Sequence, residues 1–253
     1  RHITLMDSDE IELLKFREKN IFGGHDEHGD EHADEHGDEH DEHGDEHDEH
    51  GDEHADEHGD EHDEHGDEHA DEHGDEHDDH HDGHAHGEHD IHFWLDPEIA
   101  KTIVKIVTRE LSEIDPANAS TYKSNSIKAV NEIDQLISDT RSKINSNASY
   151  VVFHDAYQYF EKRFGVEVVG ALTVNPDVLP GAKQLAEIRE VIEHENINCL
   201  FSEPQFNPSI AETIAKDTGV KAAVIDPLGA ELDPGKDLYF DLIGNIATSF
   251  ESC

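Results

Sequence analysis

The stretch Tyr150–Val169, YVVFHDAYQYFEKRFGVEVV, decides the fold class. Tyr150–Phe153 reads as a short apolar strand, Asp155–Phe164 as a helix and Val166–Val169 as a second strand. The alternation continues to the C terminus. A helix over Gly181–His194 follows Pro180, and a strand over Ile197–Phe201 comes next. A helix over Pro208–Thr218, a strand over Ala222–Ile225 and a helix over Lys236–Phe250 complete it. Short apolar strands alternating with helices predict an α/β fold, a parallel sheet with helices on its faces. Such sheets bind ligands just beyond the carboxyl ends of their strands. His154-Asp155 follows the first strand, Glu203 the third and Asp226-Pro227 the fourth. An imidazole and several carboxylates on one rim suit a divalent metal, and imidazole suits zinc in particular. The plainer alternative is that Asp155 caps a helix and Asp226 opens a turn.

Upstream of the sheet, Asp96-Pro97-Glu98 is a helix start: a capping acid, proline at the first helical position, and a carboxylate at the positive end of the dipole. Ile99, Ile103, Val107, Leu111 and Ile114 follow at helical spacing. Asp115-Pro116 repeats the start signal. A second helix is expected from there to about Asn145, with Tyr122, Ser126, Val130, Ile133, Ile137 and Ile144 on its inner face. At 1.5 Å per residue it would run ~45 Å, long enough to join two lobes as a stiff spine. Ile3–Met6 reads as a short strand, followed by a polar stretch to Gly23-Gly24.

Between these regions lies a tract of different character. His25–Asp90 holds 33 acids, 20 histidines and neither lysine nor arginine. Its unit is (Gly/Ala)-Asp-Glu-His with the first residue dropped at intervals. Histidine therefore recurs every three or four positions: His25, His28, His32, His36, His40, His43, His47, His50, His54, His58, His62, His65, His69, His73, His77 and His80. Four alanines are its only clearly apolar side chains, so composition predicts a disordered segment. Acid alone would make a solvated tail. The regular imidazoles point instead to a polydentate loop for zinc, copper or nickel, weak at any one site but raising the local cation concentration. Imidazole must be neutral to bind, so capture weakens on acidification. His92 follows the tract beside Trp94 and the helix start, where it is held as the tract's histidines are not; it reads either as a fixed ligand or as the last repeat member. His2 and His194 suggest no role.

The formal net charge of −45 argues against nucleic acid and anionic lipid as partners. The 187 residues outside the tract carry 30 acids and 18 bases, an ordinary acidic protein. No apolar run approaches the ~20 residues of a membrane span. The pattern HExxH is absent; HxxEH occurs only because the repeat generates it, and GxSxG, P-loop and GxGxxG sequences are also absent. A hydrolase is disfavoured on that ground, and the chain is not expected to be an enzyme. Cys199 and Cys253 lie too far apart for a CxxC motif; a disulfide and two separate thiols stand at even odds by counting. The first residue is arginine, and no signal segment precedes it, so a fragment lacking its N-terminal part is expected.

Five motifs in order, HDIHFWLDPEIA (89–100), VVFHDAYQYFEKRFG (151–165), VNPDVLPGAKQLAEIRE (174–190), CLFSEPQFNP (199–208) and IDPLGAEL (225–232), resemble the zinc-uptake ABC-transporter solute-binding proteins, the ZnuA-like metal receptors. The resemblance covers Ile91–Cys253. It implies two α/β lobes joined by a long helix with the metal between them. Residues 1–24 would be a remnant of the first lobe, 25–90 the accessory loop, 91–114 a first-lobe helix, 115–149 the linking helix and 150–253 the second lobe, with the first lobe largely missing. By motif, His92 and His154 match metal ligands and Asp226 a carboxylate ligand or its neighbour. Glu203 looks like a residue behind the ligands or at the lobe contact. Cys199 and Cys253 match positions that form a disulfide. A further first-lobe histidine lies outside this chain. The implied function is capture of Zn²⁺, in preference to Mn²⁺, outside the cytoplasmic membrane by a monomer, with delivery to an ABC permease. The setting is periplasmic or otherwise extracytoplasmic, with membrane anchoring left open. A metal-storage protein built on the repeat and an adhesin-like surface receptor are the competing readings.

Overall fold

A computed structural model describes residues 2–22, 88–145 and 147–253 of the chain. The expected strands form β1 (Ser149–His154), β2 (Glu167–Thr173), β3 (Ile197–Ser202) and β4 (Lys221–Val224). They make one parallel sheet in the order β2-β1-β3-β4. β1 is inside the sheet and buried along most of its length, which is why it reads as an unbroken apolar run rather than an alternating one. Successive side chains point to opposite faces. Tyr150 and Val152 therefore enter one core with Phe160, Phe201 and Phe250, whereas Val151 and Phe153 enter the other with Leu200, Ile188 and Ile214.

Helices cover both faces. α1 (Pro97–Ile114) packs on α2 (Ala119–Lys143), and α2 on α6 (Leu238–Glu251). α3 (Gln158–Phe164) and α6 contribute Phe160, Phe164, Ile243 and Phe250 to the first core. α4 (Ala182–His194) and α5 (Ser209–Thr218) cover the second. The Cys199–Cys253 disulfide joins β3 to the residues just past α6, with a Cα–Cα distance of 5.9 Å. Asp96 caps α1 as expected, accepting from the Glu98 amide at 2.8 Å. Among the described residues no helix is long and apolar enough to cross a membrane.

Four local expectations are corrected. α2 has 25 residues, about 38 Å at the helical rise, because a 3-10 turn over Pro116–Asn118 replaces its first turn. The Asp115 carboxylate holds that turn, accepting from Asn118 at 2.7 Å and the Tyr122 hydroxyl at 2.9 Å. On the inner face of α2, Tyr122, Ser126 and Val130 are only half-buried, and full burial is reached in the second half at Ile133, Leu136, Ile137 and Thr140. α3 begins at Gln158 rather than Asp155, and Asp155 spends its carboxylate on Arg17 at 3.2 Å instead of capping it. Leu5–Asp7 is a 3-10 turn, not a strand.

Instead, residues 20–22 run along the β2 edge. The Ala171 amide donates to the Asn20 carbonyl and the Phe22 amide to the Val169 carbonyl, both at 2.8 Å. Gly170 makes this approach possible: a Cβ there would lie 2.9 Å from the Asn20 carbonyl oxygen.

Candidate metal centre

His154 is the last residue of β1, and Glu203 follows the end of β3. β1 and β3 are neighbours, with Val152 opposite Phe201, so residues leaving their carboxyl ends emerge side by side. Both are buried, His154 at 6% and Glu203 at 2% exposure. Each Glu203 carboxylate oxygen lies 2.8 Å from His154 Nδ1. A carboxylate only accepts, so Nδ1 carries a proton, and in the neutral imidazole Nε2 then keeps its lone pair.

His92 reaches the same rim from before α1. Its segment is fastened at several points. Trp94 donates from Nε1 to the Pro227 carbonyl at 3.0 Å, and the Tyr239 hydroxyl donates to the Trp94 carbonyl at 3.0 Å. Leu95 is fully buried. Arg163 on α3 grips Asp96 through two hydrogen bonds of 2.7 Å. Behind His92 stands Asp90, with no exposed surface. Its Oδ1 lies 2.6 Å from His92 Nδ1 and accepts from the His92 amide at 2.9 Å. The same reasoning puts the His92 proton on Nδ1.

The two free nitrogens meet. His92 Nε2 and His154 Nε2 are 3.4 Å apart, with ring centroids at 5.3 Å and an interplanar angle of 61°. As neutral rings neither has a proton to offer the other, and the gap exceeds the ~2.7–3.2 Å usual for hydrogen bonds donated by nitrogen. It fits another geometry. Two nitrogens bound to tetrahedral zinc at about 2.0–2.1 Å are separated by roughly 3.3–3.4 Å. The pair borders a cavity of 550 Å³ that Lys15, Arg17, Val174 and Asn175 also line, so further donors have room to enter.

A second group of charges lies behind this cavity. Arg17 contacts Asp155 at 3.2 Å and Glu161 at 2.6 Å, and sits 3.9 Å over the Phe22 ring. Burial pushes the Asp155 carboxyl up to about 6 and the Glu161 carboxyl up to about 7, each against the pull of Arg17. Tyr157 is raised as well, first by burial and then by the negative charge of Glu203.

Of the residues singled out from sequence, the structure brings His92 and His154 together and sets Glu203 against His154. It does not bring Asp226 to them. Asp226 Oδ1 accepts from Gln205 at 2.6 Å and the Leu228 amide at 3.0 Å, and Oδ2 from the Ala230 amide at 2.6 Å. Its carboxylate organises the turn after β4, the plainer of the two sequence readings. Among the described residues no three His, Cys, Asp or Glu side chains form a group that could hold a metal ion. The tract histidines, His25 to His80, lie outside the described residues. Sequence reasoning missed Asp90, which composition counts as the last acid of the tract; its position two residues before His92 is the local signal that sets it apart.

A family model described as "Zinc-uptake complex component A periplasmic", ZnuA, matches residues 7–253. The high-affinity zinc uptake system protein ZnuA of Brucella abortus is 41% identical over 169 residues, covering 66% of this chain and 51% of that protein. The Yersinia pestis protein of the same name is 37% identical over 171 residues, covering 66% and 54%. The chain thus spans about half the length of the curated relatives it matches. Among solved structures, the laminin-binding protein of Streptococcus agalactiae, a bifunctional protein with adhesin and metal-transporting activity, superposes with a TM-score of 0.58 at 30% identity over 64% of each chain. Because the family model matches nearly the whole chain, this protein belongs to the ZnuA family of periplasmic zinc-uptake components.

Proposed function

We propose that this chain is a zinc receptor in which His92 and His154 coordinate Zn²⁺ through Nε2, with remaining positions filled by donors entering the adjacent cavity. The observation that carries this is the 3.4 Å between two imidazole nitrogens whose opposite nitrogens are both occupied by buried carboxylates. Carboxylate-backed imidazoles are the usual support of zinc sites, since the carboxylate orients the ring and raises its basicity. Two nitrogen donors favour zinc over manganese, which prefers oxygen. Asp226 acts here as the organiser of the rim turn rather than as a donor.

Zinc is cargo in this reading. The receptor takes it up outside the cytoplasmic membrane as a monomer and passes it to an ABC permease. The 25–90 tract collects the ion at lower affinity and feeds the fixed site.

The test is a Zn²⁺ titration under chelator competition. It compares the full chain, its His92→Ala and His154→Ala variants, and a variant lacking residues 25–87. That deletion spares Glu88–Asp90 because Asp90 is buried beneath His92. One tight site should survive loss of the tract and fall by at least about 10–100-fold in either histidine variant. If tight binding disappears with the tract and the histidine variants change nothing, the storage reading replaces this one.

A further inference from the structure

By composition Asp90 is one more acid in a run of 33, yet among the described residues of that run Glu88 is exposed and Asp90 has no exposed surface. A buried carboxylate is expensive unless its lone pairs are used, and this one has partners from two parts of the chain. Oδ1 takes the His92 amide and ring N–H, and Oδ2 takes Gln158 Nε2 from α3 at 3.1 Å. Its backbone is held as firmly. The Asp90 amide donates to the Leu14 carbonyl, the Tyr159 hydroxyl donates to the Asp90 carbonyl, and that hydroxyl accepts from the Leu14 amide, each at 2.8 Å. Leu14, Gln158 and Tyr159 together fix the place of the carboxylate. α3 follows the strand that carries His154, so the same contacts reference His92 to the element bearing its counterpart.

We propose that Asp90 is a positioning residue for zinc: it holds the His92 proton on Nδ1 and aims Nε2 at His154, so that the site is formed before the ion arrives. A neutral imidazole without such an acceptor distributes its proton over both nitrogens and is free to rotate. Half of the donor pair would then have to be organised by the metal itself. This inference rests on the zinc reading of His92 and His154.

The test uses the full chain with Asp90→Ala and Asp90→Asn, beside His92→Ala and an Ile188→Val control that loosens the far face of the sheet. Two quantities are read. The first is the His92 tautomer in metal-free protein, from long-range proton–nitrogen correlations of ¹⁵N-histidine-labelled chain, assigned by the signals lost in His92→Ala. The second is Zn²⁺ affinity under chelator competition. Asp90→Ala should shift His92 to a mixture of tautomers and weaken the tight site about 10–100-fold. Asp90→Asn retains an acceptor without the charge and should fall between it and the parent. Ile188→Val should lower Tm without moving either quantity. If His92 keeps its proton on Nδ1 and the affinity is unchanged in Asp90→Ala, the proposal is overturned. It is overturned equally if the affinity loss in Asp90→Ala is matched by a control of the same Tm. If His92→Ala itself leaves zinc binding intact, the receptor reading fails, and the tautomer measurement still reports on Asp90 separately.

Discussion

Removing the Cys199–Cys253 bond should cost much stability and little zinc affinity. The two cysteines are 54 positions apart and enclose β4, α5 and α6. Closing a loop of that size removes about 4 kcal/mol of chain entropy from the unfolded state. For a folded unit of this size each kcal/mol shifts Tm by roughly 2–4 °C, so a Cys199→Ala/Cys253→Ala variant should melt roughly 8–16 °C below the oxidised chain. The His92–His154 pair is held by other means. His154 is placed by the β1–β3 ladder and Glu203, and His92 by Asp90, Trp94 and the Asp96–Arg163 contact. Zinc affinity of the still-folded variant should therefore stay within about threefold of the parent. Calorimetry gives the first quantity and chelator competition the second. A shift below about 3 °C would mean that the aromatic packing of Phe250 on Tyr150, Phe160 and Phe201 already fixes α6. A tenfold affinity loss in a folded variant would mean that the C-terminal helix sets the rim, contrary to the reasoning here.

Three other outcomes are expected. Glu161 has its folded-state carboxyl raised from 4.5 to about 7, so its contribution is complete below about pH 4.5 and is lost as pH rises through about 7, worth up to about 3 kcal/mol at 1.36 kcal/mol per unit. Glu161→Gln should accordingly flatten the fall in Tm between pH 5 and pH 8, and parallel curves for variant and parent would contradict the assignment. Gly170→Ala places a methyl 2.9 Å from the Asn20 carbonyl oxygen and 3.1 Å from Ile188 Cδ1. It should cost about 1–3 kcal/mol and speed hydrogen exchange at the Ala171 and Phe22 amides, whereas unchanged protection would show that the segment does not need the glycine. Zinc binding should weaken on acidification and release protons on binding, because the ligand nitrogens must be deprotonated; calorimetric titration in buffers of different ionisation enthalpy measures that release, and a buffer-independent heat would count against imidazole ligation.

Half of the candidate site was legible because it follows from local rules. A residue that ends a buried parallel strand must emerge on the ligand-binding rim, so His154 and Glu203 could be placed from the apolar runs before them. The same rule also selected Asp226, which the structure keeps apart from the two histidines. Lying past a strand end says nothing about where a carboxylate points, and nearby amides in the following turn claim this one. Asp155 was open to a similar error as a helix cap, because Arg17, from 138 positions away, takes its carboxylate instead.

The sequence by itself determined the α/β class, the order of strands and helices through the second half of the chain, and the cap and proline that start α1. Periodicity, capping and chain-breaking residues act over a few positions, and a distant contact displaced them only locally, where Arg17 takes the carboxylate of Asp155. The motif resemblance already matched His92 and His154 to metal ligands, but only the tertiary structure set their Nε2 atoms 3.4 Å apart across 62 residues of chain. It alone separated Asp90 from the acids it resembles. Composition cannot tell a solvated carboxylate from a buried one; that difference is made by Leu14, Gln158 and Tyr159, which reach Asp90 only once the chain has folded.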